Sequence, residues 1–372
     1  MTRSPLLASA LVLCACMACG ESDGGTPRGS GGGGTGAGGG TAGGGAGGAA
    51  GGAGGAAGTG GTGGTGGTGG TGGTGAAAGG GTAGSGGGTA GSGGTGLGPC
   101  PTFAAGVELA KVAFAGVNEA SGVAESRKSS GVLWINNDSG DGPKLYAVGK
   151  DGAHLGVFTL SGAQAQDWED LAVGPGPAAG ESYLYAGDIG DNAAARANIK
   201  VYRVAEPALS ASGPAKDVTL SSVETFTFTY PDGAHNAESL MVDPKTADLF
   251  IVTKVSSGKS AVFRAAAPLA SGVLQQVATL NFGTAPLSGG TLTTASDISP
   301  SGDLIAIRTY SSAFVWRRGA GMTVGVALAG QPCTIPQKSE PQGEAIAFLA
   351  DGSGYVTVSE GVNQPVWLFT KQ

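Results

Sequence analysis

The 372 residues carry a formal net charge of −7, and 45 of the 76 glycines fall between residues 20 and 98. All but four charged residues (Arg3, Glu21, Asp23 and Arg28) lie beyond that stretch, where 18 basic side chains face 25 acidic ones. An acidic domain without basic clusters argues against nucleic acid or an anionic membrane surface as its partner, and two histidines argue against zinc.

The first residues read as an export signal. Arg3 supplies a minimal positive charge, and Leu6 to Leu13 is an apolar run too short to span a bilayer as a mature helix. It ends in Leu13-Cys14-Ala15-Cys16-Met17-Ala18-Cys19, which resembles the lipobox of bacterial lipoprotein signals: an apolar residue, two small residues, then the acylated cysteine. Cys16 fits, with Leu13 three before it and Ala15 just before it; Cys19 is the alternative, and an ordinary signal with incidental cysteines is a further one. Neither candidate is followed by Asp, which in Gram-negative cells implies release to the outer membrane or cell surface. The resemblance therefore implies residues 1–19 as leader and lipobox, and a membrane partner reached through the lipid.

Residues 20–98 are nearly all Gly, Thr, Ala and Ser, with doubled glycines in Gly-Gly-Thr triplets from Gly60 to Gly75. Collagen needs glycine at every third residue and abundant proline, so a triple helix does not fit. The stretch has almost nothing to bury, and it reads as a disordered tether with a root-mean-square span of about 50 Å. Residues 99–372 then form the folded domain. Cys100 and Cys333 lie near its two ends and, in an exported domain, read as one disulfide.

Within the domain a unit recurs: a short apolar strand, a Pro/Gly/Asp turn, and a second strand rich in β-branched and aromatic residues. Units begin at Ser121, Glu169, Glu238, Thr294 and Glu344, and the second strands at Val132, Tyr183, Leu249, Leu304 and Gly354. Third strands follow at Lys144, Ile199, Ala261, Ala313 and Val366, and fourth strands at Leu155–Leu160, Val223–Phe228, Val273–Ala278 and Met322–Ala327. The last unit has three strands, and Val107–Phe114 supplies the missing one. Four antiparallel strands repeated at this interval predict an all-β chain, a β-propeller closed by an N-terminal strand in its last blade. Five blades is the count; six is the alternative, because the unit starting at Glu169 is 69 residues long.

The segments Asn137-Asp-Ser-Gly-Asp, Asp167-Trp-Glu-Asp-Leu-Ala, Gly187-Asp-Ile-Gly-Asp-Asn, Tyr230-Pro-Asp-Gly-Ala-His-Asn-Ala-Glu and Val252-Thr-Lys resemble those of uncharacterised secreted bacterial propellers. That group is similar to the TolB-like, NHL-like and phytase/esterase-like propellers. The resemblance implies the fold over the whole domain and no common reaction.

In a propeller the first strand of each blade lines the channel, and its start shares a face with the end of the second strand. Glu169, Glu238 and Glu344 start first strands, and Asp138, Asp188, Lys254, Arg308 and Glu360 sit near second-strand ends, so carboxylates are expected at one mouth. Asp138-Ser-Gly-Asp141 and Asp188-Ile-Gly-Asp191 repeat one acidic turn in adjacent blades. Asp138, Asp141, Glu169, Asp188, Asp191, Glu238 and Glu344 are thus candidate ligands for calcium, which takes six to eight oxygens in irregular geometry. The alternative is that these acids only cap their own turns. His235 and Glu238 are the catalytic candidates, with His235 as base or as a rim residue bonded to a neighbouring loop. Trp168 reads as a core anchor. Two functions compete. One is a tethered binding module for a protein, glycan or small molecule of the cell envelope; the other is a calcium-dependent hydrolase of phosphate or carboxylic esters. No recognised catalytic motif tips the balance to an enzyme, and binding is the preferred reading.

Overall fold

The computed structural model describes residues 97–283 and 289–372. Cys16, Cys19 and the glycine-rich stretch up to residue 96 lie outside the described residues. The chain then forms β1 (Val107–Lys111) and five blades. Blade one holds β2 (Ala120–Glu125), β3 (Val132–Asn137), β4 (Lys144–Gly149) and β5 (His154–Leu160). Next come β6 (Trp168–Pro175), β7 (Ser182–Asp188), β8 (Ile199–Ala205), β9 (Lys216–Leu220) and β10 (Glu224–Thr229). After these come β11 (Ala237–Val242), β12 (Leu249–Thr253), β13 (Ala261–Ala265), β14 (Gly272–Val273) and β15 (Gln275–Thr279); all but β14 form the third blade. Then come β16 (Thr293–Ile298), β17 (Leu304–Thr309), β18 (Ala313–Arg317), the short helix α1 (Val324–Leu328) and β19 (Cys333–Ile335). The last blade is β20 (Gly343–Phe348), β21 (Gly354–Ser359) and β22 (Pro365–Thr370).

Strands β2, β6, β11, β16 and β20 pack side by side in that order, and β20 returns to β2. The ring therefore closes with five blades. β1 pairs antiparallel with β22, so the last blade is built from both ends of the domain, as its three C-terminal strands required. The 69-residue interval hides no sixth blade. Its extra length is β9, which crosses back to pair parallel with β5 on the outside of blade one before β10 completes blade two. β14 does the same on a smaller scale, pairing parallel with β10.

Every blade is buried on both faces, and each junction between blades has its own apolar core. β12 shows how two-residue periodicity serves this. Leu249 and Ile251 join the core shared with blade two, whereas Phe250 and Val252 join the core shared with blade four. A strand with two dry faces reads as an unbroken apolar run, which is why the second strands stand out in the sequence. Trp134 is fully buried between blades one and two, and truncation to Ala costs about 3–5 kcal/mol.

Blade four departs from expectation at its edge. Met322–Ala327 is not its fourth strand; that place belongs to β19, and the segment holds α1 instead. Thr323 caps the helix by accepting from the Val326 amide at 3.2 Å. Val324, Ala327 and Leu328, spaced three and four apart, are the buried residues, so the apolar spacing is helical. Cys100 is bonded to Cys333 on β19, with their Cα atoms 5.8 Å apart, tying the segment ahead of β1 to the outside of blade four.

Buried acids also brace the junctions. Glu206 accepts from the Trp134 indole at 3.0 Å, and Asp170 accepts from the amides of Leu240 and Ser296 at 2.8 and 3.1 Å. Asp297 accepts from the Phe348 amide at 2.7 Å, and Asp243 takes both ends of the Arg318 guanidinium. Burying a carboxylate is costly unless donors meet it, and each of these is met by a neighbouring blade.

Candidate functional site at the channel mouth

Each channel-lining strand begins with a β-bulge. The register slips between Ala120 and Gly122, Ala237 and Ser239, Thr293 and Ala295, and Gly343 and Ala345; in β6 it slips between Trp168 and Leu171. The extra residue has no ladder partner and its side chain is re-aimed. The bulged residues are Ser121, Glu169 with Asp170, Glu238, Thr294 and Glu344. Because all five strands start at the same end of the ring, three glutamates are delivered to one mouth.

Glu169, Glu238 and Glu344 are 3, 5 and 3% exposed. Lys254, just past the end of β12, is ion-paired with Glu238, and its ammonium donates to the Tyr310 hydroxyl at 2.8 Å. Gln342 donates to Oε1 of Glu344 at 3.3 Å, while Oε2 is buried with no partner among the described residues. Ser121 donates to Oε2 of Glu169 at 3.3 Å. Asp138, Asp167 and Glu169 each bring a carboxylate oxygen within 4.8 Å of the other two.

The electrostatics follow from burial and crowding. Burial pushes Glu169 well above the usual carboxylate range, and Glu238, Asp138 and Asp167 push it further. Burial raises Glu238 and Glu344 as well, against the pull of Lys254. One ammonium shared among three glutamates does not neutralise them. Burial opposes the charge on Lys254, but Glu238, Glu344 and Glu169 outweigh it and hold its pKa above the ordinary value. Towards solvent, burial and then Asp138 push Asp167 up to about 6, and burial and then Glu344 push Glu360 up to about 7. The mouth is a site for positive charge.

The sequence-derived candidates divide in two. Asp138, Glu169, Glu238 and Glu344 meet at the mouth. Asp141 is held in its own turn by the Gly142 amide and the Lys144 ammonium, both at 2.7 Å, and by the Tyr146 hydroxyl. Asp188 pairs with Arg196 at 2.9 Å and accepts the Asp167 amide at 3.1 Å, while Asp191 accepts the Arg196 amide at 2.7 Å. The Gly187–Asn192 loop is thus folded around Arg196. His235 engages its own loop: its Nε2 lies 2.9 Å from Asp232, and its ring packs against Tyr230 and Phe263 beside a cavity of about 200 Å³. Trp168 is buried and donates to the Gln164 carbonyl at 2.9 Å, as an anchor should.

Asp167 and Tyr310 were not singled out by sequence reasoning. Asp167 is two residues before the bulged Glu169, a spacing that keeps both on one side of an extended chain. Tyr310 is two residues past Arg308, an offset at the end of a second strand comparable with that of Lys254. A cavity of about 810 Å³ between blades three and four lies at the far ends of these strands, near Asp243, Arg318 and Met322, away from the carboxylates.

No protein-family model matches the sequence, and no curated protein matches it. Among solved structures the chain is similar to one in the crystal structure of a nidogen/laminin complex, with 11% identity, 65% of this chain and 73% of that chain covered, and a TM-score of 0.39.

Proposed function

We propose that this propeller is a binding module of the bacterial cell envelope, lipid-anchored through Cys16 or Cys19 and held off the membrane by its glycine-rich tether, with the channel mouth as its binding face. The observation that supports this most is the set of five bulges, which sends Glu169, Glu238 and Glu344 to one mouth around Lys254. Burying these groups disfavours folding, and a ligand that meets them recovers that cost on binding. The hydrolase alternative asks His235 to work beside Glu238 or a metal. His235 engages Asp232 and an aromatic pair, which favours the binding reading. The ligand expected is one that brings positive charge to the mouth.

The test uses the full chain in a Gram-negative host. Outer-membrane fractionation lost in Cys16→Ser or Cys19→Ser supports the anchor, and soluble recovery of the parent chain rejects it. Crosslinked envelope ligands retained by the parent and lost in Glu238→Gln and Glu344→Gln support the mouth as binding face; equal retention by all three rejects it.

A further inference from the structure

We propose that Asp138, Asp167 and Glu169 form a divalent-cation site at the channel mouth, suited to calcium. The inference deepens the binding reading and rests on the mouth as binding face. Oxygens around a calcium ion lie 2.3–2.6 Å from it, so two ligands are separated by at most about 5 Å. The three carboxylates already meet that condition pairwise, within 4.8 Å.

Two further observations point to an ion. The first is a buried carboxylate short of donors. Glu169 is 3% exposed, and its one side-chain hydrogen bond among the described residues is the 3.3 Å contact from Ser121. A buried carboxylate normally collects several donors or a cation. Its neighbours offer no cation of their own. Among the described residues Asp138 accepts the adjacent Ser139 amide alone, and Arg196 is the cation that lowers the Asp167 pKa. That guanidinium is taken by Asp188 at 2.9 Å and the Gly190 carbonyl at 2.7 Å, and Lys254 is taken by Glu238. At the same mouth, Oε2 of Glu344 is a buried oxygen without a hydrogen-bond partner among the described residues.

The second observation is a cradle. Gly190 lies against the carboxylates so closely that a Cβ there would fall 2.2 Å from Oε1 of Glu169 and 2.5 Å from Oδ2 of Asp167. Only a residue without a side chain lets both oxygens keep these positions. The Gly190 amide donates to the Asp167 carbonyl at 3.1 Å, which fixes the loop above the pair. Three carboxylates beside the Ser121 hydroxyl give an all-oxygen set without strict geometry. That chemistry suits calcium over zinc, which prefers nitrogen and sulfur in a tetrahedron.

The experiment uses the full-length chain purified in detergent. Calcium is titrated by calorimetry, and terbium is followed by luminescence on tryptophan excitation, with Trp168 between Asp167 and Glu169 in sequence as the sensitiser. The expected result is one saturable site from which calcium displaces terbium. Asp167→Asn and Asp138→Asn should each weaken it at least about tenfold, with Asp303→Asn, on the far face, unchanged. Asp138→Asn replaces a partly exposed group, so a folding defect in a Glu169 variant would not obscure the answer. The absence of saturable binding in the folded chain, or binding equal in the parent and both variants, overturns the proposal. A parent chain that captures its ligand but shows no saturable cation site rejects the site alone; a parent chain with the cation site but no ligand capture rejects the binding role alone.

Discussion

Replacing Arg318 with methionine tests whether paired buried charge holds blades three and four together. Arg318 is 7% exposed and Asp243 is 1% exposed. Nη1 donates to Oδ1 at 2.7 Å, Nη2 to Oδ2 at 2.9 Å, and Nε to the Met322 carbonyl at 2.8 Å. Methionine keeps much of the volume and removes the charge. Asp243 is then left with the Lys245 amide at 3.0 Å and the Thr246 hydroxyl at 2.8 Å. Removing one partner of a buried pair costs about 3–5 kcal/mol. At roughly 2–4 °C per kcal/mol for a domain of this size, the melting temperature should fall by roughly 10 °C. Urea unfolding should show a lower midpoint with an unchanged slope. The pH dependence gives a second check. In the parent, burial raises the Asp243 carboxyl but Arg318 outweighs it, so the folded pKa is lowered. That contribution is present above the unfolded pKa and is lost as pH falls through the folded one. In the variant burial acts without the guanidinium, and the stranded carboxylate gains by taking a proton. The deficit should therefore be largest near neutrality and shrink on acidification. A loss below about 1 kcal/mol at neutral pH, the range of exposed pairs, or a deficit that grows with acid, refutes the reasoning.

The mouth and the braces predict an unusual acid response. Burial is the first cause of pushing Asp167 and Asp297 up to about 6 and Glu360 up to about 7. Such groups bind protons more tightly folded than unfolded, so stability should rise as pH falls from about 8 to about 5; melts that stay flat or decline contradict this. Cys100→Ser with Cys333→Ser opens a link spanning 233 residues and should cost roughly 5 kcal/mol by chain entropy, read from the urea midpoint against the oxidised parent. Equal midpoints would remove the link from the account of stability. Gly190→Ala places a methyl on the Glu169 and Asp167 oxygens and should abolish the terbium signal while changing stability by about 1 kcal/mol or less. Terbium binding as in the parent would show that the carboxylates need no cradle.

The blade repeat was legible because the first and second strands are buried on both sides. Runs such as Leu249–Thr253 carry their environment in their composition, and the turn residues between them mark the interval. Outer strands were less legible because they touch one neighbour and tolerate polar residues. β9 reads Lys-Asp-Val-Thr-Leu and belongs to a blade other than the one preceding it in the chain, a pairing no local pattern encodes. Val324 and Val326 look like strand residues by composition, yet tertiary packing of Val324, Ala327 and Leu328 decided for a helix. At the mouth the glutamates were legible from their common position. What makes them converge, a one-residue slip of register at each strand start, has no signature in composition. For the same reason Asp167 entered the site unannounced, and Asp188 and Asp191 left it for Arg196.

Cys100 comes before β1 in the chain, and its partner sits on β19 in the neighbouring blade. This order sets the route of any force applied to the N-terminal side. A pull on the residues ahead of Cys100 passes through a covalent bond into blade four before it reaches the β1–β22 pair that closes the ring. Without that bond the same pull would fall first on β1, a single strand held at the edge of blade five. The ring would then open where its two ends meet. With the bond intact, the closing strand is bypassed, and drag or traction on the domain is borne by a sheet whose strands are all consecutive in the chain.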